Sequence, residues 1–349
     1  MSDPASVLVV APNWLGDTVM ALPAISDVRR RFPSARLIVA ARRAVADIFR
    51  LVPFVDELVT LQWSGRWWQR RLFAADARRL RQLGADLAIL LPNSFAAAWL
   101  ARGAAIPDRW GYGSDMRARL LSRVVRRPKD GLHQGAYYQY LTRALGIESG
   151  PLEPALTIPE DAAAAARHQL RDRGWDGARP VIVFAPGATY GAAKRWMPQY
   201  VARVATDLVR QRQATCVMVG SRGDGSTARD VMHAIEADAM PHVIDMTGQT
   251  TIETLAGVIR IATACVSNDS GAMHMAAAVG TPLVALFGPT REYETAPLTR
   301  AGGRAEVLTH PVWCRPCMLR ECPIDHRCMT GITPDRVFGT VTSLLSSTP

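Results

Sequence analysis

Residues 267–290 read SNDSGAMHMAAAVGTPLVALFGPT and bring Asp269, Ser270, Gly271 and His274 within six positions. An acid, a hydroxyl and an imidazole at this spacing admit two chemistries. One is nucleophilic, with Ser270 attacking and His274 as its base. The elbow that presents such a serine reads G-x-S-x-G and draws its histidine from far along the chain. Residues 268–272 read NDSGA and lack the first glycine. The other chemistry is anion binding. The strand-like ACVSND runs into the helix-like SGAMHMAAAVG, so the free N–H groups of residues 270–272 and the helix dipole would face a negative charge that Gly271 lets approach closely. Ser270 and His274, four apart, share a helix face. His274 either donates to the same anion or is a buried structural histidine. The spacing favours the anion cradle.

A second stretch points the same way. The chain has 41 basic residues, yet its only lysines are Lys129 and Lys194. Lys194 closes PGATYGAAK, a small-residue loop after the strand-like VIVFA. The GxxxxGK[ST] spacing of a phosphate-binding P-loop is absent. Backbone N–H groups from Gly187 onward and the hydroxyls of Thr189 and Tyr190 could still surround an anion. A compact ammonium suits a crowded phosphate better than an arginine fork; the bland alternative is a solvated surface lysine. Asp224, in VGSRGDG, either accepts from sugar hydroxyls, as acids beyond strand ends do in dinucleotide sites, or caps a helix. Thr250 is grouped with these substrate-binding positions.

Near the N-terminus, VLVVAPNWLGD carries Asn13, Gly16 and Asp17. Asp17 at a helix opening is either a simple N-cap or a carboxylate kept ionised by the helix dipole, and so a general base. Gly16 would allow a tight backbone turn beside a substrate.

The elements that must position these residues alternate along the chain. Strand-like runs lie at 7–11, 36–41, 55–61 and 87–91, with helical spacing at 17–31 and 67–83. Residues 147–160, IESGPLEPALTIPE, form a Pro/Gly-rich linker. The alternation restarts at 181–188, 215–221, 242–248, 264–269 and 283–289, and 334–347 reads as a closing helix. Such alternation specifies an α/β fold with parallel sheets covered on both faces. The expected organisation is two Rossmann-like doubly wound domains, 1–155 and 156–349, facing a cleft, with every motif but one beyond a strand's carboxyl end.

Bulk numbers agree. A length of 349 residues fits two domains, and 48% hydrophobic with 21% charged residues is a globular composition. No apolar run reaches the roughly 18 residues of a membrane span, and no basic n-region precedes the first apolar run, so a cytoplasmic location is expected. The net charge of +10 favours anionic partners. In WSGRWWQRRLFAADARRLRQL (63–83) tryptophans interleave with six arginines. That pattern suits either a membrane-surface element or a sheet-covering helix with an Arg-rich outer face. The exceptional motif is CRPCMLRECPIDHRCM, with Cys314, Cys317, Cys322, Cys328 and His326 within 15 residues. It is read as an ordinary Cys-rich loop, with a bound zinc as the alternative. Cys216 and Cys265 read as small buried hydrophobes.

Taken together, PNWLGD, GATYGAAKRW and NDSGAMHMAAAVGTPLVALFGPT resemble the bacterial lipopolysaccharide heptosyltransferases of glycosyltransferase family nine, in order and over nearly the whole chain. The cysteine segment resembles that of the branch adding the second heptose. The resemblance implies a GT-B fold, an N-terminal acceptor domain, a C-terminal donor domain and an inverting transfer of heptose from ADP-heptose to the heptosyl-Kdo-lipid A inner core at the inner-membrane face. It implies that Asp17 is the catalytic acid–base residue and that Lys194 contacts phosphate and supports catalysis. It further implies that Thr189 and Tyr190 stand where the family has a threonine pair, that Asp224 fills a donor position usually held by Glu, and that Asp269, Ser270, Gly271 and His274 match a D-[ST]-G-x-x-H pyrophosphate motif. No cofactor, metal or nucleic-acid partner is expected. Three alternatives stay open: the enzyme adding the first heptose or another nucleotide-sugar transferase on this scaffold, a serine hydrolase using Ser270 and His274, and a non-catalytic module organised by the cysteines.

Overall fold

The computed structural model describes residues 3–129, 131–154 and 156–346. The chain forms two compact units, Met1–Thr157 and Ile158–Pro349. The linker's Ala155 and the last residue assigned to the closing helix, Ser347, lie outside the described residues.

In the first unit, β1 (Ser6–Val10), β2 (Arg36–Arg42), β3 (Glu57–Leu61), β4 (Leu87–Leu90), β5 (Asp108–Tyr112) and β6 (Arg123–Val125) form one sheet in the order β3-β2-β1-β4-β5-β6. All pairs are parallel; Val7 stands opposite Leu37 on one side and Leu87 on the other. Parallel neighbours require crossovers, and α1 (Leu15–Arg31), α2 (Arg70–Gln82), α3 (Phe95–Gly103) and α4 (Gln134–Ala144) are the longer helices of this unit. Strands covered on both faces need apolar side chains along their length, as in VLVV of β1 and LAIL of β4, which are buried throughout.

The second unit repeats the plan. β7 (Val181–Ala185), β8 (Thr215–Met218), β9 (Val243–Asp245), β10 (Ala264–Asn268), β11 (Leu283–Phe287) and β12 (Ala305–Thr309) run parallel in the order β12-β11-β10-β7-β8-β9. Its longer helices are α5 (Glu160–Arg171), α6 (Pro198–Arg212), α7 (Gly225–Ala234), α8 (Ile252–Ile261), α9 (Gly271–Val279) and α10 (Pro334–Ser346). Val337, Val341 and Leu344 of α10 join the core that holds Ile182 and Phe184 of β7. Both units thus have the doubly wound order 3-2-1-4-5-6, whose switch point lies between the first and fourth strands. Here those points fall between β1 and β4 and between β7 and β10.

The α/β doubly wound class expected from the alternation is the observed one. The structure adds the strands β5, β6 and β12. Their sequences DRWGY, RVV and AEVLT carry charge because all three strands are covered incompletely, β6 and β12 as edge strands. The segment 63–83 also divides differently from its periodicity. The helix begins at Arg70 and buries Asp76, Ala77 and Leu80, so it is the sheet-covering helix with an Arg-rich outer face. Trp67 and Trp68 precede it and are 68% and 59% exposed.

Candidate functional site

The switch point of the second unit is built by three loops. After β7 comes Pro186–Gly187, after β10 come Asp269 and Ser270, and after β11 come Gly288–Thr290. Strand register sets their heights: Ser267 stands beside Ala185 and Asn268 beside Leu286. Asn268 then staples the loops. Its Nδ2 donates to the Pro186 carbonyl at 2.6 Å, and its Oδ1 accepts from the Trp196 N–H at 3.3 Å. Trp196 is wholly buried, with its indole N–H bound to the Ile332 carbonyl at 2.8 Å. The segment that follows the 187–194 loop is therefore anchored in the core.

This anchoring brings Lys194 to Asp269, 75 residues apart in sequence. The ammonium lies 2.5 Å from Asp269 Oδ2, with side-chain exposures of 12% and 7%. The same oxygen accepts the Thr290 hydroxyl at 2.7 Å. Lys194 is thus not a solvated surface lysine. Its Nζ also lies 4.7 Å from the centroid of the Tyr190 ring, a favourable placement for a cation. The Tyr190 hydroxyl donates to the Met318 carbonyl at 2.8 Å, and Thr189 beside it is exposed.

Ser270 is the N-cap residue of α9, but its side chain does not cap; its hydroxyl pairs with that of Ser267 at 3.0 Å. Gly271 opens α9, and His274, one turn in, is 3% exposed. The helix start therefore presents backbone N–H groups beside the Lys194–Asp269 pair, the arrangement that holds anions. Asp224 is 7% exposed and completes a capping box: its Oδ2 accepts from the Ser221 N–H at 2.9 Å and the Ser221 hydroxyl at 2.7 Å. Its carboxyl group lies under Gly187, where any Cβ would collide with it. The cap is the role the contacts show. Thr250 stands on the loop after β9 and shares no hydrogen bond with the Lys194 cluster among the described residues.

In the first unit, α1 starts at Leu15 with Trp14 as N-cap residue. Asp17 is accordingly not the N-cap; it lies in the first turn, near the positive end of the dipole. Gly16 is likewise within that first turn rather than in a tight turn before it. Asn13, Gly16 and Asp17 are all half-buried. The nearby Thr18 hydroxyl donates to the Trp14 carbonyl at 2.9 Å. Burial pushes the Tyr138 hydroxyl on α4 well above its usual pKa, and the charge of Asp17 adds to this.

Sequence reasoning passed over Asn268 and Thr290, although both lie in or at the end of the opening stretch; a polar residue just beyond a buried strand was the available signal. It also passed over what the cysteine segment does. That segment packs on the site. Arg315 donates from Nε to the Gly288 carbonyl at 2.7 Å and pairs with Glu292 at 2.5 Å. The Met318 N–H reaches the Pro289 carbonyl at 3.0 Å, and the Ala193 N–H reaches the Arg320 carbonyl at 2.9 Å. All six cysteines are free thiols, and among the described residues no three His, Cys, Asp or Glu side chains converge as a metal site. Burial, followed by the charges of the other three clustered cysteines, pushes the Cys328 thiol up.

Removing one member of a largely buried ion pair leaves its partner uncompensated, at a cost of about 3–5 kcal/mol. Asp269→Ala should lose stability on that scale in urea denaturation, and Asp269→Asn should lose less because its amide oxygen still accepts from Lys194.

A family model described as glycosyltransferase family 9 (heptosyltransferase) matches residues 73–327. Lipopolysaccharide heptosyltransferase 2 of Salmonella typhimurium is 29% identical, with 97% of this chain and 98% of that protein covered. Lipooligosaccharide heptosyltransferase 2 of Haemophilus influenzae is 29% identical, with 84% and 86% covered. Among solved structures, ADP-heptose LPS heptosyltransferase II of E. coli superposes with a TM-score of 0.84 at 29% identity, covering 98% of each chain.

Proposed function

This chain belongs to glycosyltransferase family 9, and on that premise we propose that it transfers L-glycero-D-manno-heptose from ADP-heptose to a heptosyl-Kdo-lipid A acceptor, adding the second heptose of the lipopolysaccharide inner core. The observation that carries the donor half is the Lys194–Asp269–Thr290 cluster beside the start of α9 at the second sheet's switch point. The names of the relatives support the choice of sugar and acceptor.

In this reading the diphosphate of the donor lies against the backbone N–H groups of Ser270 and Gly271 and the ammonium of Lys194. The acceptor hydroxyl oxygen forms its bond to the anomeric carbon as the bond from that carbon to the phosphate oxygen breaks. Negative charge grows on the leaving ADP, where the helix start and Lys194 are prearranged to stabilise it. Asp17, placed in the first turn of α1, takes the hydroxyl proton. Attack opposite the leaving group inverts the anomeric carbon. Asn13 and Gly16 shape the backbone around Asp17. Gly187, Thr189, Tyr190, Asp224, Thr250 and His274 complete the donor contacts, Asp224 more by fixing the Gly187 loop than by reaching the sugar. The Ser270 hydroxyl, hydrogen-bonded to another serine, fits an anion cradle better than a nucleophile.

The acceptor is lipid-linked, and the first unit offers a surface for the cytoplasmic face of the inner membrane. Trp63, Trp67, Arg70, Phe73 and Trp99 line a pocket of about 280 Å³. Phe73 and Trp99 stack at 4.5 Å. The exposed Trp67 and Trp68, with Arg66 over the Trp68 ring and Arg70 lining the pocket with Trp67, match the interfacial aromatic-plus-cation pattern. No helix among the described residues is long and apolar enough to cross a membrane, so contact would be peripheral.

A transfer assay with ADP-heptose and acceptors bearing zero, one or two heptoses tests the reaction. Product is expected with the one-heptose acceptor; preference for the heptose-free acceptor, or for a UDP-sugar, would overturn the assignment. In the same assay Asp17→Ala should lower kcat by about 10²–10⁴-fold with the donor KM nearly unchanged, and Ser270→Ala should raise the donor KM without abolishing turnover. Trp67→Ala with Trp68→Ala should weaken co-sedimentation with anionic vesicles while leaving turnover on a water-soluble acceptor intact; unchanged sedimentation would remove this surface from membrane binding.

A further inference from the structure

The Lys194–Asp269 pair poses a question of charge. A cation 2.5 Å from a carboxylate, with both side chains mostly buried, presents little net charge to a ligand. A sugar-linked diphosphate carries negative charge on both phosphates. The start of α9 offers only about half an elementary charge. A further cation is needed, one whose charge is not already committed to an acid.

We propose that Arg320, carried to the site by the cysteine-rich segment, is that cation and contacts the donor diphosphate directly. The inference rests on reading the Lys194 loop as the donor site. Its geometry is independent of Asp269. The main chain of Arg320 is fixed to the loop that bears Thr189, Tyr190 and Lys194: the Ala193 N–H donates to the Arg320 carbonyl at 2.9 Å. Two residues earlier, the Met318 carbonyl accepts the Tyr190 hydroxyl at 2.8 Å. Gly191 permits this approach, because a Cβ there would collide with the Arg320 backbone. The Arg320 guanidinium lies 5.3 Å from the Tyr190 ring centroid, and the Lys194 ammonium lies 4.7 Å from the same centroid. One exposed ring thus carries both cations. Among the described residues no acid forms an ion pair with Arg320; its neighbours on the segment, Arg315 and Arg327, are paired with Glu292 and Asp325.

The side chain is exposed, so it can leave the ring for a ligand without breaking a fold contact. A guanidinium can bind two phosphate oxygens at once, which a lysine cannot do with the same geometry. This gives the cysteine segment a function that its thiols do not supply: it is the scaffold that delivers an arginine to the leaving group.

Because the contacts that hold Arg320 to the loop are main-chain, Arg320→Ala removes the guanidinium and leaves the anchoring in place. Calorimetric titration with ADP and with adenosine reads the difference. Loss of charge-assisted hydrogen bonds should weaken ADP binding by about 10–100-fold, with adenosine affinity and the thermal midpoint unchanged; Arg320→Lys should recover part of the loss. Lys194→Ala is the parallel arm. If Lys194→Ala weakens ADP binding and Arg320→Ala does not, Arg320 is not a donor contact although the donor site stands. If neither variant changes ADP affinity, the donor-site reading itself fails. Equal loss of ADP and adenosine with a lowered midpoint would make Arg320 structural and overturn the proposal.

Discussion

A lysine ammonium held against a largely buried carboxylate is the contact on which the carboxyl end of the second sheet depends. Burying two charges is costly, and their attraction offsets that cost only when the remaining hydrogen-bonding capacity is met. The Thr290 hydroxyl meets part of it by donating to the same carboxylate oxygen as Lys194. That requirement ties three strand ends together: β7 through the Lys194 loop, β10 through Asp269 and β11 through Thr290. Asn268 supports the same junction with its amide, gripping the Pro186 carbonyl and the Trp196 N–H. The start of α9 is thereby held beside a cation, the geometry on which the proposed anion site rests.

Close approach is the second constraint. Gly187 lies over the Asp224 carboxyl group and Gly191 lies against the Arg320 backbone, with no room for a Cβ at either position. The loop between them is therefore pressed from two sides, by a capping box beneath and by the cysteine segment across it. A loop of small residues would otherwise sample many backbone states. The segment 314–328 limits that freedom through the hydrogen bonds of the Ala193 N–H to the Arg320 carbonyl and of the Tyr190 hydroxyl to the Met318 carbonyl. These contacts need the segment's backbone path and not a disulfide; its thiols are free.

How much of this was legible in the sequence follows from where each signal resides. The central strands were legible because burial on both faces forces uninterrupted apolar runs, as in VLVV and LVALF. The strands β5, β6 and β12 were not, because each is only partly covered, carries charge or is very short, and so looks like loop. Asp269, Ser270, Gly271 and His274 were legible as a group because a strand-to-helix turn is local. Their pairing with Lys194 was only half legible: the rarity of lysine marked the residue, but nothing local specifies a partner 75 positions away. Asp17 was correctly put at a helix opening, and of its two readings the simple N-cap falls away, since Trp14, three positions earlier, takes the N-cap place without a polar side chain. Arg320 gave no signal at all among so many arginines.

That last failure has a physical reason that also explains the division between the two cations. A lysine tucked against Asp269 must be compact, because its site is mostly closed and its charge is shared between organising strand ends and the proposed phosphate contact. An arginine on the surface of the cysteine segment needs no such fit; its value lies in a charge left unspent and in a planar fork that can meet two oxygens. The first role constrains residue type sharply and so leaves a trace in composition. The second is compatible with an ordinary surface arginine, and only the fold distinguishes it, by setting it on the same tyrosine ring as the lysine. The organising charge is mostly buried and shared with an acid, whereas the charge proposed to bind at Arg320 is exposed and, among the described residues, without an ion-pair partner.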